Sequence, residues 1–435
     1  MRNFLLNIMQ WVLTKFARLT ILRFRPGIIG ITGSAGKTST KLAIAAVLSG
    51  YRSLRHSPGG SYHFNTELGL LLTILGEWPK KKLQLLNRDH PEGKYASKAF
   101  FMLQVMAKSF ANLLFPRRVN YPELLVLEYG IDRPGDMKRL LKIARPDIGV
   151  VTAIGEVPAH VEFFKSPRDV VREKARLVDQ LPATSFAVLN ADDAVVSSLA
   201  ARSRAHAMTY GFSKNAHVRL SALEYRVEDG APQGISFKIE YAGNMVPVRI
   251  DGVLSKTHAY AAAAGAAIGL IFGVNLVTIS ENLKNYRPAA GRMQIVQGVE
   301  GALVLDDSYN ASPASMEAAI ATLDEVPGKR KIAILGDMLE VEPHTIEVHE
   351  KAGRAVSDVA DILVAVGKRA KFIAESARAS GMNRKSIMSF ETADEAARML
   401  PSLVRKGDIV LVKGAHALHM GQIVEDISAS PKASL

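Results

Sequence analysis

Apolar and polar positions along the chain fall into three successive patterns. In residues 1–24, Asn3, Asn7, Gln10, Thr14 and Arg18 recur at helical spacing, while Leu5, Met9, Val12, Phe16 and Leu19 form a second row. That arrangement predicts an amphipathic N-terminal helix. From Pro26 onward, short β-branched or Leu-rich runs alternate with helical stretches. "GIIGIT" (27–32) reads as a buried strand and "KTSTKLAIAAVLSG" (37–50) as the helix after it, stopped by Gly50. "ELLVLEYG" (123–130) and "DIGVVTAIG" (147–155) read as further strands buried on both faces. Residues 215–250 change character, with "HVRLSALEYRV", "ISFKIEYAG" and "MVPVRI" predicting a small antiparallel patch. The Ala-rich run 258–274 is too short to span a bilayer, which takes about 20 residues, and reads as a buried helix.

After "NYRPAAGR" (285–292), whose Pro and Gly mark a linker, a second alternating unit begins. Its strands are "GALVLDDSYN", "KIAILGDM", "DILVAVG" and "DIVLVKGA", with "SPASMEAAIATLDEV" as one of the helices between them. Strands alternating with helices imply mostly parallel sheets covered on both faces. The fold class is therefore α/β, with a central phosphate-loop domain over residues 25–287 and a C-terminal Rossmann-like domain over 288–435. A length of 435 residues agrees with more than one domain.

Composition changes this picture in two respects. Cysteine is absent, which removes disulfides, thiolate metal sites and cysteine nucleophiles from consideration. The net charge of +13 is concentrated. Arg2, Lys15, Arg18, Arg23 and Arg25 stand in the first 30 residues without an acid. Residues 77–121 hold nine Lys and Arg against Glu77, Asp89 and Glu92. The remainder is nearly neutral, which argues against nucleic acid as a partner. The N-terminal segment has no small-residue cleavage site, and Lys15 and Arg18 interrupt its apolar run, so it is not read as a signal peptide.

The chemistry begins at "GITGSAGKTST" (30–40). A strand running into a Gly-rich turn and then a helix gathers backbone N–H groups around an anion. Gly33, Ser34, Ala35, Gly36, Lys37, Thr38 and Ser39 would form the cradle, with Lys37 reaching the phosphates and the Thr38 hydroxyl ligating Mg²⁺. The usual phosphate-loop pattern needs four residues between its first Gly and the Gly-Lys pair, and here the spacing differs. Glu128 follows at the end of a predicted strand, where ligands gather in open α/β sheets.

Further motifs follow in order: "AHVEFF" with His160, "REKA" with Lys174, "GRMQ" with Arg292, "LDDSYNASPASM" with Asp307, and "LVKGAH". Together these residues resemble the Mur ligase family, whose own loop reads T-G-x-x-G-K-T, and most closely its branch that ligates D-alanyl-D-alanine. The resemblance covers residues 26–427 and implies an ATP-dependent, ADP-forming carboxylate–amine ligase of peptidoglycan precursor synthesis. In that family ATP phosphorylates a carboxylate and an amine attacks the acyl phosphate. The family's catalytic set would fall on Lys37, Glu128, His160, Lys174 and Arg292. Thr38, Glu128, His160 and Lys174 would hold two Mg²⁺ ions, with Lys174 carbamylated because it stands fourteen positions after the histidine. Arg292 would reach the ATP phosphates, and Asp307, flanked by Asp306 and Asn310, the ribose. Lys413 and His416 would face the incoming substrate. Expected partners are small molecules, a muramoyl tripeptide and D-alanyl-D-alanine.

The chain departs from the family at three places. His258 stands where the adenine-side motif has its first Asn, and Ser312 replaces another. Only 29 residues precede Gly30, too few for the family's UDP-binding domain, and residues 77–121 form a basic insertion. The insertion and N-terminal helix either replace that platform, or lie on the inner face of an anionic membrane, or pack against each other. Two other functions remain compatible: a ligase for a different amine or non-UDP acceptor, and a non-catalytic nucleotide-binding scaffold.

Overall fold

The structure, a computed structural model, describes residues 2–57, 66–86, 95–228 and 231–429, with side chains from Ile8 in the first helix and from Ser97 in the fifth. Part of the expected insertion, residues 87–94, lies outside them. Helix α1 (Arg2–Phe24) leads into β1 (Gly27–Thr32), α2 (Lys37–Val47) and β2 (Leu54–His56). Three helices come next, α3 (Glu67–Leu75), α4 (Lys80–Gln84) and α5 (Tyr95–Leu114), before β3 (Leu124–Glu128). The chain continues through α6 (Asp136–Ile143), β4 (Ile148–Val151), α7 (Pro167–Asp179), β5 (Phe186–Asn190), α8 (Ala194–Ser197) and β6 (His206–Gly211). Strands β7 (Val218–Glu228), β8 (Ala231–Tyr241) and β9 (Asn244–Asp251), then α9 (Lys256–Ile271) and α10 (Leu276–Leu283), complete the first unit.

These strands form one nine-stranded sheet in the order β2-β3-β1-β4-β5-β6-β7-β8-β9. Residues 215–250 are antiparallel as expected, but they extend the main sheet instead of forming a separate patch, because β7 pairs parallel with β6 through Tyr210 and Gly211. The period-2 geometry of β1 divides its side chains between two layers. Ile29 and Ile31 pack in one core with Ala43, Ile44 and Ala262, from α2 and α9. Ile28 packs in the other, with Leu13, Leu71 and Phe101 from α1, α3 and α5. The Ala-rich run is the buried helix expected. A Cβ at Gly265 would lie 3.1 Å from the backbone of Ala43, so small residues let α9 press closely on α2.

The second unit contains β10 (Gln294–Gln297), β11 (Leu303–Asp307), α11 (Pro313–Glu325), β12 (Arg330–Gly336), α12 (Thr345–Ser357) and β13 (Ile362–Val366). It ends with α13 (Lys371–Ala379), β14 (Ile387–Phe390), α14 (Ala393–Leu403), β15 (Asp408–Lys413) and α15 (Gly421–Asp426). Its six strands run in the order β10-β11-β15-β12-β13-β14, parallel except for β10. The two units touch directly. Ile295 donates its N–H to the Gly252 carbonyl (2.9 Å), and the Tyr225 hydroxyl donates to Glu325 (2.7 Å).

The N-terminal segment is helical, but its buried row is phased differently from the expected one. Leu13, Ala17 and Thr20 are buried, whereas Leu19 is half exposed. Ala17 and Thr20 are short side chains on the buried face of α1, which packs against α3 and α5. Proximity to a neighbour, not maximal hydrophobicity, selects the buried face.

Candidate active site

Register places the first charged groups. Ile31 of β1 is opposite Glu128 of β3, so the carboxylate emerges beside the loop that follows β1. In that loop a Cβ at Gly33 would lie 2.0 Å from the Thr152 hydroxyl, and its φ of +150° is one that side chains rarely adopt. Gly36, in the left-handed region, forms the N-cap of α2 and has no side chain to bond the first turn. The first helical N–H to find a partner within the helix is that of Thr40, on the Gly36 carbonyl (2.9 Å). The amides of Lys37, Thr38 and Ser39 therefore stand at an uncapped helix N-terminus, which attracts anions. Within the same loop the buried Ser34 hydroxyl has no hydrogen-bond partner among the described residues. An unsatisfied donor beside an uncapped N-terminus is what a phosphate group would complete.

Three lysines converge here. Lys37 Nζ donates to the Gly33 carbonyl (2.8 Å), and Lys174 Nζ, from α7, donates to the same carbonyl (3.1 Å). Burial pushes the Lys37 ammonium below its ordinary pKa, an effect opposed by the Glu128 carboxylate. Burial pushes Lys174 much further down, and the charge of Lys37 acts in the same direction. The third lysine, Lys41, is absent from the sequence-based set. It is one helical turn beyond Lys37, buried, and paired with Glu128 at 2.6 Å. Burial alone would raise the Glu128 pKa, but Lys41, Lys37 and Arg292 outweigh it and hold the carboxyl below its usual range. The other Glu128 oxygen accepts a bond from Thr38 Oγ1 at 3.4 Å.

A cavity of about 730 Å³ opens above these groups, a size suited to a nucleotide and part of a second substrate. Ser34 to Ser39, Lys41, Glu128, Asp132 and His160 line one side. Arg292, Tyr309, Asn310, Ser312, Glu340 and His416 line the other, so both units contribute. The Arg292 guanidinium lies 4.1 Å from the centre of the Tyr309 ring, a cation–π contact that aims it into the cavity. His160 lies within 3.6 Å of Asp132 and within 2.6 Å of Glu340, a residue of the second unit. Thus Lys37, Thr38, Glu128, His160 and Arg292 are brought together.

Five expected residues, Gly33, Lys174, His258, Asp307 and Lys413, do not line the cavity. Lys174 is behind the loop at the Gly33 carbonyl. Asp307 is bound by Lys413 at 2.6 Å, across the β11–β15 register that sets the two residues side by side. Burial raises the Asp307 pKa and lowers that of Lys413, and each charge opposes the shift of the other. His258 is fully buried between Tyr286, at 2.8 Å from Nδ1, and the Arg292 carbonyl, at 2.9 Å from Nε2. Burial lowers its pKa to about 4, so it is a neutral ring that donates from Nε2 and anchors the backbone of Arg292.

A phosphate loop on one α/β unit, closed by a cation-bearing second unit, defines a two-domain ATP-dependent enzyme. Comparison with known proteins makes the class more specific. Residues 107–266 match the Mur ligase middle domain, and residues 291–416 match the Mur ligase glutamate ligase domain. The UDP-N-acetylmuramoyl-tripeptide–D-alanyl-D-alanine ligase of Mycobacterium tuberculosis (strain ATCC 25618 / H37Rv) is 30% identical, over 92% of this chain and 73% of the relative. The ligase of the same name from Bacillus subtilis (strain 168) is 26% identical, over 96% of this chain and 79% of the relative. The crystal structure of MurF ligase from Thermotoga maritima in complex with ADP superposes with a TM-score of 0.75 at 25% identity, covering 96% of this chain and 83% of that one. The chain belongs to the Mur ligase family and is an ATP-dependent ligase of the kind that builds peptidoglycan precursors.

Proposed function

We propose that the chain adds D-alanyl-D-alanine to UDP-N-acetylmuramoyl tripeptide in the cytoplasm. The observation that carries this reading is the meeting of Arg292 with Lys37 and Glu128 in one cavity, in a chain whose relatives bear that ligase's name. A carboxylate oxygen of the tripeptide attacks the γ-phosphorus of ATP, and ADP leaves. The amine of the dipeptide then attacks the acyl carbon; it loses a proton, and phosphate departs with the former carboxylate oxygen.

Both steps gather negative charge, and catalysis of such transfers is mainly positioning and electrostatic stabilisation. Lys37 and the N-terminal amides of α2 hold the phosphates from one side, and Arg292 from the other. Thr38 and Glu128 offer hard oxygen ligands side by side, which fits Mg²⁺ held jointly with nucleotide phosphates and water. When bound, Mg²⁺ neutralises phosphate charge. Asp307, held by Lys413 outside the cavity lining, would reach the ribose only on release from that lysine, and His160 serves a second cation site. The two domains of this reading are residues 25–287 and 288–435. The enzyme meets the membrane's inner face through residues 1–24 and 77–121.

Lys174 completes the reading as a carbamate. Its Nζ is buried with Lys37 as a like-charged neighbour, so conversion of the amine to an anion by CO₂ relieves a clash and supplies a negative group where cations collect. With ¹³C-labelled bicarbonate, the protein is expected to show a bound carbamate carbon resonance that Lys174→Ala lacks. Bicarbonate should raise the rate of the wild type alone. A resonance unchanged in Lys174→Ala, or a variant with full activity, would remove the assignment.

The reading as a whole is tested by phosphate release from ATP with each substrate separately and then together, with mass spectrometry of the product. Release that needs both substrates, with a pentapeptide product, is expected. Release without that product would mean that another amine or acceptor is used.

A further inference from the structure

Helices α1 and α5 contact each other, and both bury one face in the core that also holds α3. On α5 the buried residues are Phe101, Met102, Val105 and Ser109. The opposite face is also apolar. Phe100, Leu103, Phe110 and Leu114 recur at helical spacing and are each 58–62% exposed. On α1, Trp11 is 62% exposed and Leu22 69%. An apolar row on each of two touching helices is an unusual expense for a surface and marks an interaction site.

Charge identifies the occupant. Neither helix contains an acidic residue, and Lys15, Arg18, Arg23 and Lys108 are exposed beside the apolar rows. Arg117 and Arg118 follow α5 immediately, also exposed. Cations flank aromatic rings as well: Lys15 Nζ is 5.4 Å from the centre of the Trp11 ring, and the Arg118 guanidinium 5.3 Å from that of Phe115. A protein groove would be expected to present mixed charge to such helices, whereas an anionic lipid surface accepts one sign only, with apolar side chains and Trp entering the headgroup boundary. Among the described residues no helix is long and apolar enough to cross a membrane, so the face would lie on the surface.

We propose that α1 and α5 form a docking face for an anionic bilayer, anchored by Trp11, Leu22, Phe100, Leu103, Phe110 and Leu114 and held by the basic residues around them. This deepens the membrane placement proposed above and is independent of the ligase reaction. Gln10, on another side of α1, lines the active-site cavity, so docking would bring the wall of that cavity to the membrane.

The test is flotation of the full chain with phosphatidylcholine vesicles, with and without phosphatidylglycerol. Binding should be about tenfold greater with the anionic lipid and should fall with salt. Leu22→Glu with Phe110→Glu should reduce the bound fraction about tenfold, while the thermal transition and ATP affinity stay as in the wild type. If that variant fails to fold, Lys15→Gln with Arg18→Gln and Arg23→Gln should lower binding to anionic vesicles alone. Absence of flotation on either vesicle would overturn the proposal, as would equal binding to both. So would a Leu22→Glu, Phe110→Glu chain that floats normally. A shift of that variant from dimer to monomer, without lipid binding by the wild type, would assign the face to a second copy of the chain. Ligase activity measured without vesicles separates any of these outcomes from failure of the ligase reading.

Discussion

Replacing Lys37 by alanine is expected to lower ATP-dependent turnover by about 10²–10³-fold, the usual loss when one preorganised donor is removed from a transferring group. The same substitution should leave folding nearly unchanged. Lys37 is a half-buried cation near Lys174 and Arg292, it donates to the Gly33 carbonyl four residues before its helix begins, and burial already disfavours its charge. Glu128 retains Lys41 as its partner when Lys37 is lost. Steady-state kinetics with a thermal melt test both halves. A large loss of rate with an unchanged transition is the expected outcome. Equal turnover would mean that Lys37 does not touch the transferred phosphate.

The neighbouring lysine should behave in the opposite way. Lys41→Met preserves apolar bulk but leaves Glu128 buried without its closest counter-charge. Breaking a buried pair in this manner costs about 3–5 kcal/mol, which denaturant unfolding would detect. The pH dependence has a definite sign. The Glu128 pKa is depressed in the folded protein, so its contribution to stability is present above the unfolded carboxylate pKa of about 4.3 and is lost as pH falls through the folded value. In Lys41→Met the carboxyl pKa moves upward. The difference between variant and wild type should therefore be largest at neutral pH and shrink on acidification. A constant difference would show that Lys41 acts through packing alone.

These two lysines also show how far the sequence could be read. Lys37 belongs to a local strand–loop–helix pattern, and local patterns carry their chemistry with them. The same holds for Glu128 at a strand end, for the interval from His160 to Lys174, and for Arg292 just after the linker. Lys41 offered only a weak signal, its place one turn after Lys37, because its role depends on β3 lying beside β1. Tyr309 and Glu340 had still less, since each acquires its role when two units close over one cavity, and Asp132 meets His160 only through the folding of the first unit. The motif points to His258 as a nucleotide-side residue, and the structure instead encloses it between Tyr286 and the Arg292 carbonyl.

The fold was legible to a similar degree. Strongly β-branched or Leu-rich runs became β1, β3, β4, β11, β12, β13 and β15. Strands β2 and β14 are short edge strands that lie half-buried, so their residues lack a continuous apolar run. The buried face of α1 escaped periodicity because it includes Ala17 and Thr20, small or polar residues that hydrophobic spacing does not single out.

In the proposed reaction the cavity between the two units activates a carboxylate as an acyl phosphate. The measurement that tests it most directly uses a tripeptide acceptor whose reacting carboxylate carries ¹⁸O, with mass spectrometry of the phosphate released during ligation. Transfer of one labelled oxygen to each phosphate is predicted, because the carbon–oxygen bond breaks when the amine attacks. Phosphate without label would contradict the account, since ATP would then be cleaved by water and the amide formed by another route.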